Sequence, residues 1–165
     1  MTFIHCPTCG CKLAQKEIGD EGPVPFCIPC NKPRFNFSYP CAICLVVSED
    51  GEIALIKQKY VSDKFICVAG YVQQGETVEH TARREVEEET GLAVLSVKYI
   101  KSYYHEKSDN LMFGFVCKVK KSEFNISAEV DEAGWFSVNG AREQFKDGSV
   151  TKYLLEDWLK GDKTC

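Results

Sequence analysis

Residues 70–92 read GYVQQGETVEHTARREVEEETGL. Gly70 is followed by five residues and Glu76, then by seven residues and the run Arg84-Glu85-Val86-Glu87-Glu88-Glu89-Thr90-Gly91-Leu92. Thr77 is a capping residue and Gly91 a stop, so the stretch predicts a helix that begins near Val78 and ends at Gly91. Ala82 and Val86 are four apart and can face a core, whereas Glu85, Glu88 and Glu89 stand at i, i+3 and i+4 and share another face. Glu87 points elsewhere, towards solvent. Glu76 lies just before the helix, where a loop can return its carboxylate towards the same place. Like charges at these spacings destabilise a helix by a few tenths of a kcal/mol per pair. Arg84, one turn before Glu88, offsets part of that, and a divalent metal would offset the rest. Magnesium prefers oxygen ligands and shares its shell with substrate phosphates. Such ions can activate a water and stabilise a leaving phosphate. A merely solvent-facing acidic helix would not need Gly70, Glu76, Arg84 and Gly91 at these separations.

Outward from this stretch, strand-like runs precede it at Ala42–Ser48, Ile53–Gln58 and Phe65–Val68, with a turn at Glu49-Asp50-Gly51. Strand-like runs follow at Val94–His105, Leu111–Val119 and Ala133–Ser137. Val150–Leu159 carries Val150, Tyr153, Leu154 and Trp158 at helical spacing. The order mixes strands and helices, and no repeat is present. Pro33 to Pro40 (PRFNFSYP) reads as a linker.

Cys6-Pro-Thr-Cys9 and Cys27-Ile-Pro-Cys30 are two CxxC pairs with 17 residues between them. That spacing fits a four-cysteine zinc site, closed and tetrahedral, which stabilises a segment too short for its own core. The alternative is a set of unrelated buried or redox-active thiols. Of the ten cysteines, Cys11 reads as a bystander and Cys165 as uninformative. Cys41 and Cys44 form a third CxxC within a strand, where positions three apart face opposite ways, so they read as core or edge thiols. Cys67 and Cys117 read as core. Residues 1–35 are therefore expected to form a zinc ribbon and residues 36–165 the main domain.

At 165 residues with net charge −4, the chain has room for one core plus a small satellite. The acidic balance argues against non-specific nucleic-acid binding, and the ribbon's Lys12, Lys16, Lys32 and Arg34 are balanced by Glu17, Asp20 and Glu21. No apolar run approaches the ~20 residues that span a membrane. The start, MTFIHCPTCG, lacks the pattern of a signal peptide. A cytoplasmic protein is the expectation.

The stretch 70–92 resembles the Nudix box: a glycine, five residues, a glutamate, seven residues, then Arg-Glu-aliphatic-any-Glu-Glu-any-Gly-aliphatic, with every specified position matched. The resemblance implies an α+β fold, an α/β/α sandwich around a mixed sheet, preceded here by the zinc ribbon. It implies metal-assisted hydrolysis of a nucleoside diphosphate linked to another moiety, such as ADP-ribose, NADH or FAD, with release of a nucleoside monophosphate. Glu85, Glu88 and Glu89 would bind Mg²⁺ or Mn²⁺, with the Gly70 carbonyl as a further ligand. Arg84 would orient the carboxylates, and Glu85 would help orient or deprotonate the water. The segment Ala128–Phe136 resembles the one that supplies a later carboxylate, which makes Glu129 the candidate and Glu132 the second choice. The cysteine ribbon followed by AGYVQQGET is similar to the NADH pyrophosphatase branch. That branch carries an SQPWPFP-type segment where this chain has Lys101 to Lys107, ahead of Leu111-Met112-Phe113-Gly114-Phe115. Tyr103 or Tyr104 is then a candidate for stacking on a base, and core packing is the other reading. The branch and exposed Phe26, Phe35 and Phe37 suggest a homodimer. The competing function is a nucleotide-sensing Nudix domain acting as a binding or regulatory module.

Overall fold

The structure is a computed structural model and describes residues 3–161; Met1, Thr2 and Cys165 lie outside the described residues. Contacts divide the chain into two compact units, Met1–Tyr39 and Pro40–Cys165.

In the first unit, β1 (Ala14–Glu17) pairs antiparallel with β2 (Pro23–Cys27), which pairs with β3 (Lys32–Pro33). Its buried apolar residues are Cys6, Val24, Phe26 and Cys27. Phe26, expected on the surface, is buried, and Lys16 Nζ sits 4.1 Å from its ring centroid. Period-2 alternation explains this: Val24 and Phe26 share one face of β2. The linker is shorter than expected, since β3 takes Lys32–Pro33 and the next strand begins at Tyr39.

The second unit contains β4 (Tyr39–Ser48), β5 (Ile53–Lys57), β6 (Val68–Tyr71), β7 (Val94–His105), β8 (Asn110–Val119) and β9 (Glu132–Phe136). They form a mixed sheet in the order β7-β8-β4-β5-β9, with β6 also paired to β4. Strand β4, which also neighbours β8, is long enough to bind two further partners: Cys41–Cys44 pair with β6, and Val46–Val47 pair with β5. Every residue of β4 from Cys41 to Ser48 is buried. Such a run, apolar on both faces, belongs at the centre of a sheet covered twice. Ala42, Cys44 and Val46 pack with Ala82 and Val86 of α1 (Val78–Thr90). Ile43, Leu45 and Val47 pack with Ala141 of α2 (Val138–Gln144) and with Val150, Leu154, Leu155 and Trp158 of α3 (Val150–Gly161). This is the α/β/α sandwich.

Two elements depart from the sequence expectation. The Phe65–Val68 run is not the strand: β6 is Val68–Tyr71, preceded by one bridge between Ile56 and Ile66. Pairing with β4 sets this, with Gly70 opposite Ala42. Helix α2 was not foreseen, because Asn139 and Gly140 weaken the local helical signal. It is started by the Ser137 side chain, which accepts from Gly140 N at 3.1 Å.

Candidate active site

Helix α1 owes its placement to its ends and its apolar stripe. The Thr77 hydroxyl accepts from His80 N at 3.2 Å. At the other end Gly91 is left-handed, φ 73°, and its N–H donates to Glu87 O, the usual glycine stop. With Ala82 and Val86 fully buried against the sheet, the rotation of the helix is determined. Glu85, Glu88 and Glu89 then turn towards one cleft of about 630 Å³, lined also by Gly70, Arg84 and Glu129.

Gly70 permits this closeness. A Cβ there would lie 1.9 Å from Glu85 Cδ and Oε1, so only hydrogen allows the strand and the carboxylate to meet. Arg84 ties the acids together. Its Nη1 donates to Glu85 Oε1 at 2.8 Å and to Glu88 Oε2 at 2.9 Å. Its Nε and Nη2 donate to the two oxygens of Glu76 at 2.6 and 3.0 Å. Glu76 does not line the cleft; it is tied to the site through Arg84 and through Gln73 N, which donates to its Oε2 at 3.1 Å. The Arg84 guanidinium holds its carboxyl down to about 2, against the opposing effect of burial, with help from the Thr81 hydroxyl and Gln73 N–H.

Glu89 is buried, and burial pushes its carboxyl up to about 7, with the charge of Glu85 adding to the rise. Its Oε1 accepts from Gln58 Nε2 at 2.8 Å, and its Oε2 is buried with no partner. Burial raises Glu85 as well, opposed by Arg84 and reinforced by Glu88 and Glu129. Glu129 faces the cleft, whereas Glu132 lies on β9 and pairs with Lys57 at 3.6 Å. The cleft therefore holds four carboxylates and the single guanidinium of Arg84, already shared with Glu76. Hard oxygen donors, excess negative charge and an orphaned buried lone pair fit a divalent ion such as Mg²⁺ or Mn²⁺.

Tyr103 and Tyr104 lie outside this cleft. Tyr103 packs on the α3 side and donates from its hydroxyl to Asp157 Oδ2 at 3.1 Å. Tyr104 donates to Asp109 Oδ1 at 2.9 Å. The aromatic residues at the cleft are instead Tyr60, which is 74% exposed, and Tyr71. Asn110 also lines it, with Nδ2 donating to the Tyr71 hydroxyl at 3.4 Å and Oδ1 buried without a partner. Sequence reasoning missed Gln58, Tyr60, Tyr71 and Asn110. Tyr71 had a usable signal, since it follows Gly70 directly; Gln58, Tyr60 and Asn110 had none.

In the ribbon, the sulfurs of Cys6, Cys9, Cys27 and Cys30 all lie within 4.8 Å of one another. Cys9 to Cys27 is 3.4 Å and Cys6 to Cys30 is 4.0 Å. A Zn–S bond of about 2.3 Å in a tetrahedron implies sulfurs about 3.8 Å apart, so the four thiols fit zinc. Burial pushes the Cys6 thiol up, but hydrogen bonds from the Cys9 and Thr8 backbone, Cys27 and Arg34 outweigh it and bring it to about 5. Arg34 Nη2 donates to Cys6 Sγ at 3.2 Å and to Thr8 Oγ1 at 2.8 Å, a brace of the kind that orients metal ligands. Cys11 is exposed and outside the group. Cys41 and Cys44 are buried on opposite faces of β4, and Cys44 donates to Ala82 O at 3.6 Å. Burial, then the charge of Glu85, pushes Cys41 up to about 11, which makes it an inert thiol.

The chain is similar to known proteins in sequence and in fold. The NAD-capped RNA hydrolase NUDT12 of Homo sapiens is 32% identical over 180 residues, covering 96% of this chain and 38% of that protein. The NAD-capped RNA hydrolase NudC of Photobacterium profundum is 26% identical over 159 residues, covering 96% and 59%. The chain thus spans less than two thirds of these relatives. Among solved structures, a NUDIX hydrolase from Nitrosomonas europaea superposes with TM-score 0.75 at 20% identity, over 98% of this chain and 93% of that one. The NUDIX domain of Shewanella oneidensis NrtR, solved with ADP ribose, gives 0.67 at 12% identity over 77% and 90%. Both show the shared fold. Residues 38–158 match the NUDIX domain, and the chain belongs to the Nudix family.

Proposed function

We propose that this chain is a divalent-metal-dependent pyrophosphohydrolase that cleaves a nucleoside diphosphate linked to a second moiety, with an NAD-type pyrophosphate as the leading substrate. The carrying observation is the buried, unpartnered Oε2 of Glu89 beside Glu85, Glu88 and Glu129. The NAD-capped RNA hydrolases among the relatives support the choice of dinucleotide. When bound, Mg²⁺ or Mn²⁺ supplies charge neutralisation of the pyrophosphate and acidification of water. Glu85, Glu88, Glu89 and Glu129, with the Gly70 carbonyl, hold the ion, and Arg84 keeps Glu85 and Glu88 in register. Glu85, whose carboxyl burial raises, accepts the proton of the attacking water. The water oxygen bonds to phosphorus as the bridging P–O bond breaks, giving a nucleoside monophosphate and the phosphorylated remainder. Tyr71 and Tyr60 offer aromatic faces for the base or nicotinamide.

The test is release of AMP from NADH, ADP-ribose and FAD, and of nicotinamide mononucleotide from RNA with a 5′ NAD, with Mg²⁺ or Mn²⁺ present. Glu88→Gln should lower turnover by about 100-fold or more, as expected for loss of a group that stabilises transition-state charge. No cleavage of any of these substrates by wild type, or equal cleavage by the variant, would overturn the mechanism. Binding of these compounds without cleavage would make the chain a sensing module instead. The chain is further proposed to pair with a second copy through the ribbon, where Phe35 and Phe37 are exposed. Light scattering at micromolar concentration decides this, and a monomer mass would refute it.

A further inference from the structure

The turn after β5 carries a polar side chain that the chemistry above does not use. Gln58 is 6% exposed, and its Nε2 donates to Glu89 Oε1 at 2.8 Å. The Gln58 backbone carbonyl accepts from Val61 N at 2.8 Å and Ser62 N at 2.9 Å, so Gln58 heads a closed turn. That turn is fastened to the segment following Glu129. Lys59 N donates to Asp131 Oδ2 at 2.7 Å, and Asp131 N donates to Lys57 O at 2.8 Å. Arg84 bonds to Glu76, Glu85 and Glu88, so the orientation of Glu89 rests on Gln58. One oxygen of Glu89 is held by a fixed amide while the other is buried and unpartnered.

We propose that Gln58 is a positioning residue that makes Glu89 a one-oxygen ligand and thereby selects a small octahedral cation over a larger one. The inference rests on the metal-dependent reading above. A carboxylate free to swing can chelate through both oxygens, which suits Ca²⁺, with six to eight ligands at about 2.3–2.6 Å. Mg²⁺ requires near-octahedral geometry at about 2.0–2.1 Å and is served better by single oxygens held in place. A neutral amide does this without cancelling the carboxylate's charge, which a lysine or arginine at the same place would do.

The test measures Mg²⁺ and Ca²⁺ binding to the full chain by calorimetry without nucleotide, for wild type and Gln58→Met, which fills similar volume but has no donor. Mg²⁺ affinity should fall about 10–100-fold, the range seen when the partner of a metal ligand is removed. Ca²⁺ affinity should fall less, so the Mg²⁺ to Ca²⁺ ratio drops. In turnover, the Mg²⁺ requirement should rise while kcat at saturating Mg²⁺ changes less. Gln58→Asn withdraws the amide by one methylene and should lose the preference too; it carries the comparison if the methionine variant does not fold. Variants that bind both ions as wild type does, or lose both in equal proportion, would overturn the proposal. Wild type that binds Mg²⁺ but cleaves none of the substrates above would sink the hydrolytic reading and leave Gln58 to this measurement. Wild type that binds neither ion would sink both.

Discussion

Gly70 and Glu89 carry the sharpest constraints at the scale of single residues. A methyl group at Gly70 would occupy the space of Glu85 Cδ, so Gly70→Ala must push either β6 or the carboxylate aside. We expect kcat/KM to fall about 100-fold, the usual consequence of displacing a reacting group by roughly an ångström. The melting temperature should change little, since the strand can retain its pairing; wild-type kcat/KM in this variant would contradict the packing. Glu89 makes a pH-dependent contribution of defined sign. Its folded-state value of about 7 lies above the ~4.3 of an exposed glutamate. The folded chain therefore keeps the proton where the unfolded chain loses it. The contribution to metal-free stability is fully present below ~4.3 and is lost as pH rises through about 7. Added Mg²⁺ should stabilise increasingly over that window, because it takes the proton's place. Thermal melts with and without Mg²⁺ across that range test this. Glu89→Gln should reduce the effect to the part that the raised Glu85 carboxyl supplies, and a Mg²⁺ increment that does not grow with pH would refute it. The identity of these acids was legible from spacing alone. The orphaned oxygen was not, because Gln58 lies 31 residues away in sequence.

At the scale of elements, α1 is the part most completely written in local sequence. Its cap, its stop and its buried stripe are all within the stretch 77–91. Removing the Thr77 hydroxyl by Thr77→Ala should cost about 1 kcal/mol, read as a lower denaturation midpoint with unchanged denaturant slope; an unchanged midpoint would show that the cap carries no energy. Strand β6 behaved differently. Phe65–Val68 has a strand-like composition, yet the paired residues are Val68–Tyr71. Ala69 and Gly70 look unpromising for a strand by propensity, and β4 imposes the pairing. Helix α2 was hidden for the same reason in reverse: a short segment weakened by Gly140 becomes helical because Ala141 fills the core beside β4. The Tyr103–Tyr104 pair illustrates strand geometry. Alternation sends neighbouring side chains to opposite faces, and in β7 the two hydroxyls go to Asp157 and Asp109.

For the molecule as a whole, the two units depend on different forces. The sandwich is held by two apolar layers on either side of β4. The ribbon buries Val24 and Phe26 beside its thiols, too little for independent stability in a three-stranded sheet of this length. One zinc per chain is expected, and its removal by a strong chelator should abolish a ribbon transition while the unit Pro40–Cys165 keeps its own melting. Elemental analysis showing well under one zinc in protein purified without chelator would refute the site. The sequence by itself determined the box, the cysteine quartet, the core strands and the last helix. Each of these rests on spacing within one element or on a periodicity that burial enforces. Only the tertiary structure decided that Glu129 rather than Glu132 faces the acids. It also decided that Tyr60, Tyr71 and Asn110 line the cleft, and that Gln58 orients Glu89. Those choices depend on contacts between segments far apart in the chain, which strand pairing brings together and no local pattern encodes.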